Sequence, residues 1–232
     1  MVPVLRPPLS ARHRGYLRLL STCLLVMVGF TLPRPINQIT TVGYLAMGLV
    51  MLRSFNRPGV RRNRLFLLLG CLTLICGVLW YLTPLGLRST GIPVLVLWSL
   101  FSLWSATRLI RSLAEERRVN GAVLRGALAG YLMLGLTGGL ICSALETIGP
   151  GHFSNIDLGR SIAEMEQPVW GLNFVKLNYF AFVTLTTTGY GDVIPQTPAA
   201  QMLTMAIAVA GTCYQAVVMG LLISRFTQSR RT

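Results

Sequence analysis

Seven consecutive residues, Thr186-Thr187-Thr188-Gly189-Tyr190-Gly191-Asp192, carry the chemistry of this chain. They interrupt an apolar, membrane-length region, where two glycines two residues apart and a closing carboxylate do not suit a regular helix. Non-helical backbone at membrane depth persists only where protein or a water-filled cavity covers its polar groups. Alternate glycines reach backbone angles closed to other residues, so successive carbonyls can turn to one side of an extended strand. Several such strands around one axis would stack layers of carbonyl oxygens that replace the hydration shell of a dehydrated cation. The chemistry is therefore coordination by backbone dipoles. No paired carboxylates, nucleophile–base set or metal cluster stands out elsewhere, so an enzyme is not expected.

A loop of this kind must be slung between membrane helices, and the composition supplies them. Of the 232 residues, 53% are hydrophobic and 12% charged, too little charge to cover a soluble domain of this size. The expected order is a basic N-terminal tail (1–15), four apolar runs within 16–107, a charged interfacial linker helix (108–121) and a second module (122–226). The four runs are Tyr16–Leu32, Ile36–Leu52, Leu65–Leu82 and Gly91–Thr107, each at or just under the roughly 20 residues that a spanning helix needs. The second module divides into a long helix (122–148), a short aromatic helix (172–186) that re-enters, the loop (187–192) and a last helix (199–226), before a tail (227–232). The fold class is an all-α membrane protein. The first run has the basic front and apolar core of a signal peptide but no convincing cleavage site, so it is kept as a span.

Charge fixes the expected orientation. Basic residues outnumber acidic ones 21 to 7. The arginines fall between apolar runs instead of along one polar face, which speaks for topology and against a nucleic-acid surface. With six spans and both termini cytoplasmic, only Arg34, Arg88, Arg160 and Lys176 lie outside, which satisfies the positive-inside bias. Cys23, Cys71, Cys76, Cys142 and Cys213 all sit in apolar segments at spacings that suit no zinc site.

The run Thr187-Thr188-Gly189-Tyr190-Gly191-Asp192 resembles the TVGYG filter of tetrameric pore-loop potassium channels, with Thr188 where the commonest pattern has valine. The resemblance is specific over Leu172–Phe226; before that, only hydropathy and length support it. It implies a cell-membrane homotetramer in the lipid bilayer, since one loop per chain cannot encircle an ion alone. It implies passive potassium conduction, with potassium as permeant ion and no other cofactor. Ions would be held by the carbonyls of Thr187, Thr188, Gly189 and Tyr190 within a filter that extends to Gly191, the Thr187 hydroxyl completing the innermost site. Tyr190 is expected to point away from the axis and brace the filter. Asp192, at the outer mouth, either raises local cation concentration or caps the loop's amides. The short helix is expected to aim free C-terminal carbonyls at the central cavity.

Two departures from the family pattern concern filter support. Many relatives carry a Trp-Trp pair where this chain has Tyr179-Phe180; Tyr179 can still donate to Asp192, whereas Phe180 offers Tyr190 no hydrogen bond. Val183 stands where some relatives have a glutamate that pairs with the filter aspartate. In the last helix Gly211 lies where relatives carry a hinge glycine, and hinge and close packing are equally open for it; packing is favoured for Gly220.

Strong voltage sensing is not expected. The fourth run has basic residues only at its cytoplasmic end, Arg108 and Arg111, and no Asp or Glu occurs between Met1 and Ala114. No soluble ligand-binding domain is expected in either terminus. His152 is expected to be a solvated loop residue, and Glu146 is a candidate to pair with the filter region. The competing functions are a non-selective cation channel, a non-conducting regulatory subunit, and a potassium transporter, the last of which would need four loops in one chain.

Overall fold

The computed structural model describes residues 9–32, 38–54, 61–82, 88–114, 116, 119–156 and 172–229. The chain is an all-α membrane protein: α1 (Leu9–Gly29), α2 (Gln38–Ser54), α3 (Arg61–Leu82), α4 (Arg88–Ala114), α5 (Gly121–Ile148), α6 (Leu172–Leu185), α7 (Pro198–Cys213) and α8 (Gly220–Ser229). A π-helical segment, Tyr214–Met219, joins α7 to α8. The one described sheet is an antiparallel pair, β1 (Phe153–Ser154) on β2 (Ile194–Pro195).

Helix α5 is the hub, in contact with α1, α4, α6 and α7. It starts where Asn120 accepts hydrogen bonds from the amides of Ala122 (3.0 Å) and Val123 (3.2 Å), satisfying donors that a helix N-terminus leaves open. Its small residues let large neighbours approach. A side chain at Gly126 would meet the Tyr16 ring at 2.8 Å, and one at Gly139 would collide with Asn178. Two-thirds (67%) of its membrane-length stretch is buried, against 22% for the final helix, whose Met202, Met205, Val209 and Val217 are exposed.

A core of Tyr16, Leu19, Val26, Tyr44, Met47, Trp98, Phe101, Leu109 and Met133 ties α1, α2 and α4 to α5. Tyr44 reaches beyond it to the re-entrant helix: its ring lies 5.7 Å from Phe174, and its hydroxyl donates to Asn178 Oδ1 at 3.3 Å. Through α1, α2 and α4 the first half of the chain thus packs on the second module, while α3 packs on α2 and α4. A second core under the loop gathers Cys142, Phe153, Leu177, Phe180, Leu185, Val193 and Ile207.

Three boundaries differ from the expectation. The N-terminal tail (1–15) is helical from Leu9, immediately after Pro8, because nothing from Leu9 onward breaks a helix whose apolar side continues through Tyr16 and Leu19. The linker helix over 108–121 does not form as a separate interfacial element. Arg108–Ala114 continues α4, since Leu109 and Leu113 keep its buried face and meet α5 opposite Gly130 and Gly126. Third, α3, α4, α5 and the Pro198–Arg225 stretch are long and apolar enough to cross a membrane, whereas α1 and α2 do not meet that measure. Arg12, Arg14 and Arg18 occupy the first half of α1, and α2 has 17 residues.

Candidate ion-binding loop

The loop grows out of the C-terminus of α6 through a left-handed cap. The Thr188 amide donates back to the Val183 carbonyl (3.0 Å), and the Thr187 amide to that of Thr184 (3.0 Å). This pattern needs a left-handed residue at the turn, usually glycine. Here it is Thr187, with φ of 60°. A β-branched residue in that conformation costs about 1–2 kcal/mol, so the surrounding bonds must hold it there. Those bonds are present: Thr186 Oγ1 donates to the Phe182 carbonyl (2.8 Å) and pairs with Thr188 Oγ1 (2.9 Å), and the Thr186 amide donates to Phe182 at 2.9 Å.

Left-handed angles then recur at every second residue, Thr187 at 60°, Gly189 at 60° and Gly191 at 78°, while Thr188 and Tyr190 keep negative φ. Alternating right- and left-handed residues swing successive amides to one side and successive carbonyls to the other. A side chain at Gly189 or Gly191 would meet nothing within 4 Å, so conformation and not space within the chain requires glycine there. Thr186 to Asp192 are all exposed.

The expectation of free carbonyls at the end of α6 is corrected. Phe182, Val183 and Thr184 accept amides from the loop, and the Leu185 carbonyl accepts the Tyr131 hydroxyl at 3.3 Å. What remains for a cation is the dipole of the aligned peptides, not open lone pairs at the last turn. Tyr131 in turn accepts from Gln215 Nε2 at 2.7 Å.

At the other end of the loop, Tyr179 and Asp192 lie close enough to interact electrostatically. The Asp192 backbone carbonyl accepts from Asn155 Nδ2 (3.0 Å), and the Asn155 carbonyl accepts from Lys176 Nζ (2.6 Å). Phe180 is buried in the core under the loop and packs edge-on against Phe153, 5.2 Å between centroids. Val183 acts through its backbone, its carbonyl taking the amides of both Thr188 and Gly189. Tyr190 is 72% exposed, so any bracing of the filter by this ring must come from outside its own chain.

The Glu146 carboxylate accepts the amides of Gly151, His152 and Phe153 and builds the turn after α5. His152 is half-buried and hydrogen-bonded to Thr197 through Nδ1, not a solvated loop residue. Gly211 is a packing position: a side chain there would strike the Leu185 carbonyl oxygen and stand 3.0 Å from the carbonyl carbon. Gly220 has open space around it within its own chain and follows the end of the π segment. Sequence reasoning missed Asn155, Lys176, Tyr131 and Gln215, which lie at polar positions far along the chain and meet the loop only in three dimensions. The one available signal was the presence of Tyr131 and Gln215 inside apolar helices, where a polar group seeks a partner.

Residues 131–228, less than half of the chain, match the model of a family described as ion channel. No curated protein matches the chain. The matched segment begins at Tyr131 and takes in the re-entrant helix, the loop and the final helix, and it supports an ion channel of the pore-loop type in a multi-pass membrane protein.

Proposed function

We propose that four copies of this chain form a potassium-selective channel that conducts passively across the cell membrane. The reading rests on one observation above all, the repeat of left-handed φ at Thr187, Gly189 and Gly191 in a strand left exposed by its own chain. Four such strands about an axis would offer rings of oxygens from Thr187, Thr188, Gly189 and Tyr190, matching the hydration shell that a potassium ion sheds. The exposed Tyr190 ring and the apolar face of the final helix would then be covered by neighbouring copies, as closed symmetry requires. Asp192 stands at the outer mouth, where its charge would concentrate cations. The topology that goes with this reading has six passes and both termini cytoplasmic, with α1 held in the bilayer chiefly by packing against α5 and α2, and α2 by packing against α1 and α3. No catalytic step belongs to it.

The test is the purified chain in liposomes under opposed potassium and sodium gradients. A reversal potential close to that of potassium supports the proposal. One near zero would instead establish the non-selective cation channel, which Thr188 and the packing of Phe180 against Phe153 favour. Absence of flux from a folded tetramer would point to a regulatory subunit.

A further inference from the structure

We propose that Tyr131, held by Gln215 of the π segment, is a positioning residue that sets the ion discrimination of the loop by fixing the Leu185 carbonyl. The inference rests on the potassium reading above and names the parts of the chain that regulate the same site.

The backbone of the loop satisfies the carbonyls of Phe182, Val183 and Thr184, but the geometry of the left-handed cap supplies Leu185 from elsewhere. The Tyr131 hydroxyl does this across 54 positions of sequence. Leu185 stands two residues before Thr187, where the backbone enters its strained left-handed turn. A change in the tilt of the Leu185 peptide passes directly into that turn, because the next two amides are tied back to α6 and cannot absorb it.

The position of the tyrosine hydroxyl is itself controlled by the last helix. Gln215 donates to it at 2.7 Å, and the Tyr131 ring lies 5.8 Å from that of Tyr214. Tyr214 is anchored one turn earlier on α5, its hydroxyl donating to the Ala127 carbonyl at 2.6 Å past Gly130. A π turn carries one more residue than an α turn, and this extra residue lets the adjacent Tyr214 and Gln215 both reach α5. Gly211, four residues earlier on the same helix, lies so close to the Leu185 carbonyl that no side chain fits between them. The last helix therefore registers against the base of the loop at two points, once by contact and once through a hydrogen-bonded relay. Movement of this helix changes the loop through Tyr131 before it changes the width of anything below.

Reconstituted full-length chain carrying Tyr131→Phe, Gln215→Leu or both tests this by reversal potentials in potassium and sodium. Loss of the hydroxyl is expected to lower the potassium-to-sodium permeability ratio by about fivefold, the factor that one typical hydrogen bond of about 1 kcal/mol is worth. Gln215→Leu should shift it the same way, and the double variant should match Tyr131→Phe alone, since Gln215 acts through the tyrosine. A purely structural role would lower thermal stability and leave the ratio unchanged, and that result overturns the inference. Gln215 is exposed, so its variant keeps the test open if Tyr131→Phe does not fold; an unchanged ratio in Gln215→Leu, or fully additive effects, also overturns it. A wild-type channel without discrimination is a different result: the potassium reading fails, and this inference falls with it.

Discussion

Replacing Gly211 by alanine separates a packing glycine from a hinge. The added methyl would drive into the Leu185 carbonyl oxygen and sit 3.0 Å from both the carbonyl carbon and Cδ1 of that residue. Helix propensity alone favours alanine by about 1 kcal/mol. Overpacking costs about 1–3 kcal/mol, and the upper part of that range applies because the obstacle is backbone and not a flexible side-chain tip. Displacing the carbonyl also loosens its bond from Tyr131, for about 1 kcal/mol more. The balance is a loss of about 2–3 kcal/mol, centred on the base of the loop. The assay is the fraction of tetramer surviving a heating series in detergent, by size exclusion, together with potassium-over-sodium selectivity in liposomes. Gly220→Ala serves as comparator; it meets no atom within 4 Å and should be neutral or slightly stabilising. A Gly211→Ala protein as stable and as selective as wild type, altered only in open probability, would show that this glycine bends and does not pack, and would refute the reasoning.

Three further outcomes follow from contacts away from the loop. Tyr44→Phe removes only the hydroxyl that donates to Asn178, keeps both ring contacts, and should lower unfolding stability by about 1–2 kcal/mol in a thermal or denaturant series. Arg225→Gln takes a cation from the carbonyls of Ala114 (3.2 Å) and Glu116 (2.7 Å) at the end of α4; stability should fall by about 1–2 kcal/mol while the permeability ratio stays unchanged. Arg108 lies 4.0 Å over the Phe66 ring and donates to Asn63 Oδ1 at 3.1 Å, so it is fixed in place and not poised to move. Voltage dependence should accordingly be shallow, and a steep charge movement abolished by Arg108→Gln with Arg111→Gln would contradict this.

Much of the fold can be read without coordinates because its determinants are local. Apolar length marks the helices, whereas the caps that start α5 at Asn120 and α7 at Thr197 are seen only in the structure. The glycine pair marks the place where a helix cannot continue. The boundary of α4 was missed because charge dominates the reading of 108–120, while the buried pair Leu109 and Leu113 prolongs the helix against α5. His152 was misjudged for a related reason: burial of a single residue depends on what stands opposite, and the opposite surface comes from another part of the chain.

Sequence by itself determined the membrane class, the helical elements and the residues able to place carbonyls along one side of a strand, since each follows from hydropathy or from backbone angles open to glycine. Tertiary structure alone decided that Thr187 shares the left-handed conformation of Gly189 and Gly191, and that the Leu185 carbonyl is bound by Tyr131 and closely approached by the backbone at Gly211. These contacts join α5, α6 and the last helix across 54 and 26 positions, and hydrogen bonds of a few ångströms acquire partners at that separation only once the helices have packed.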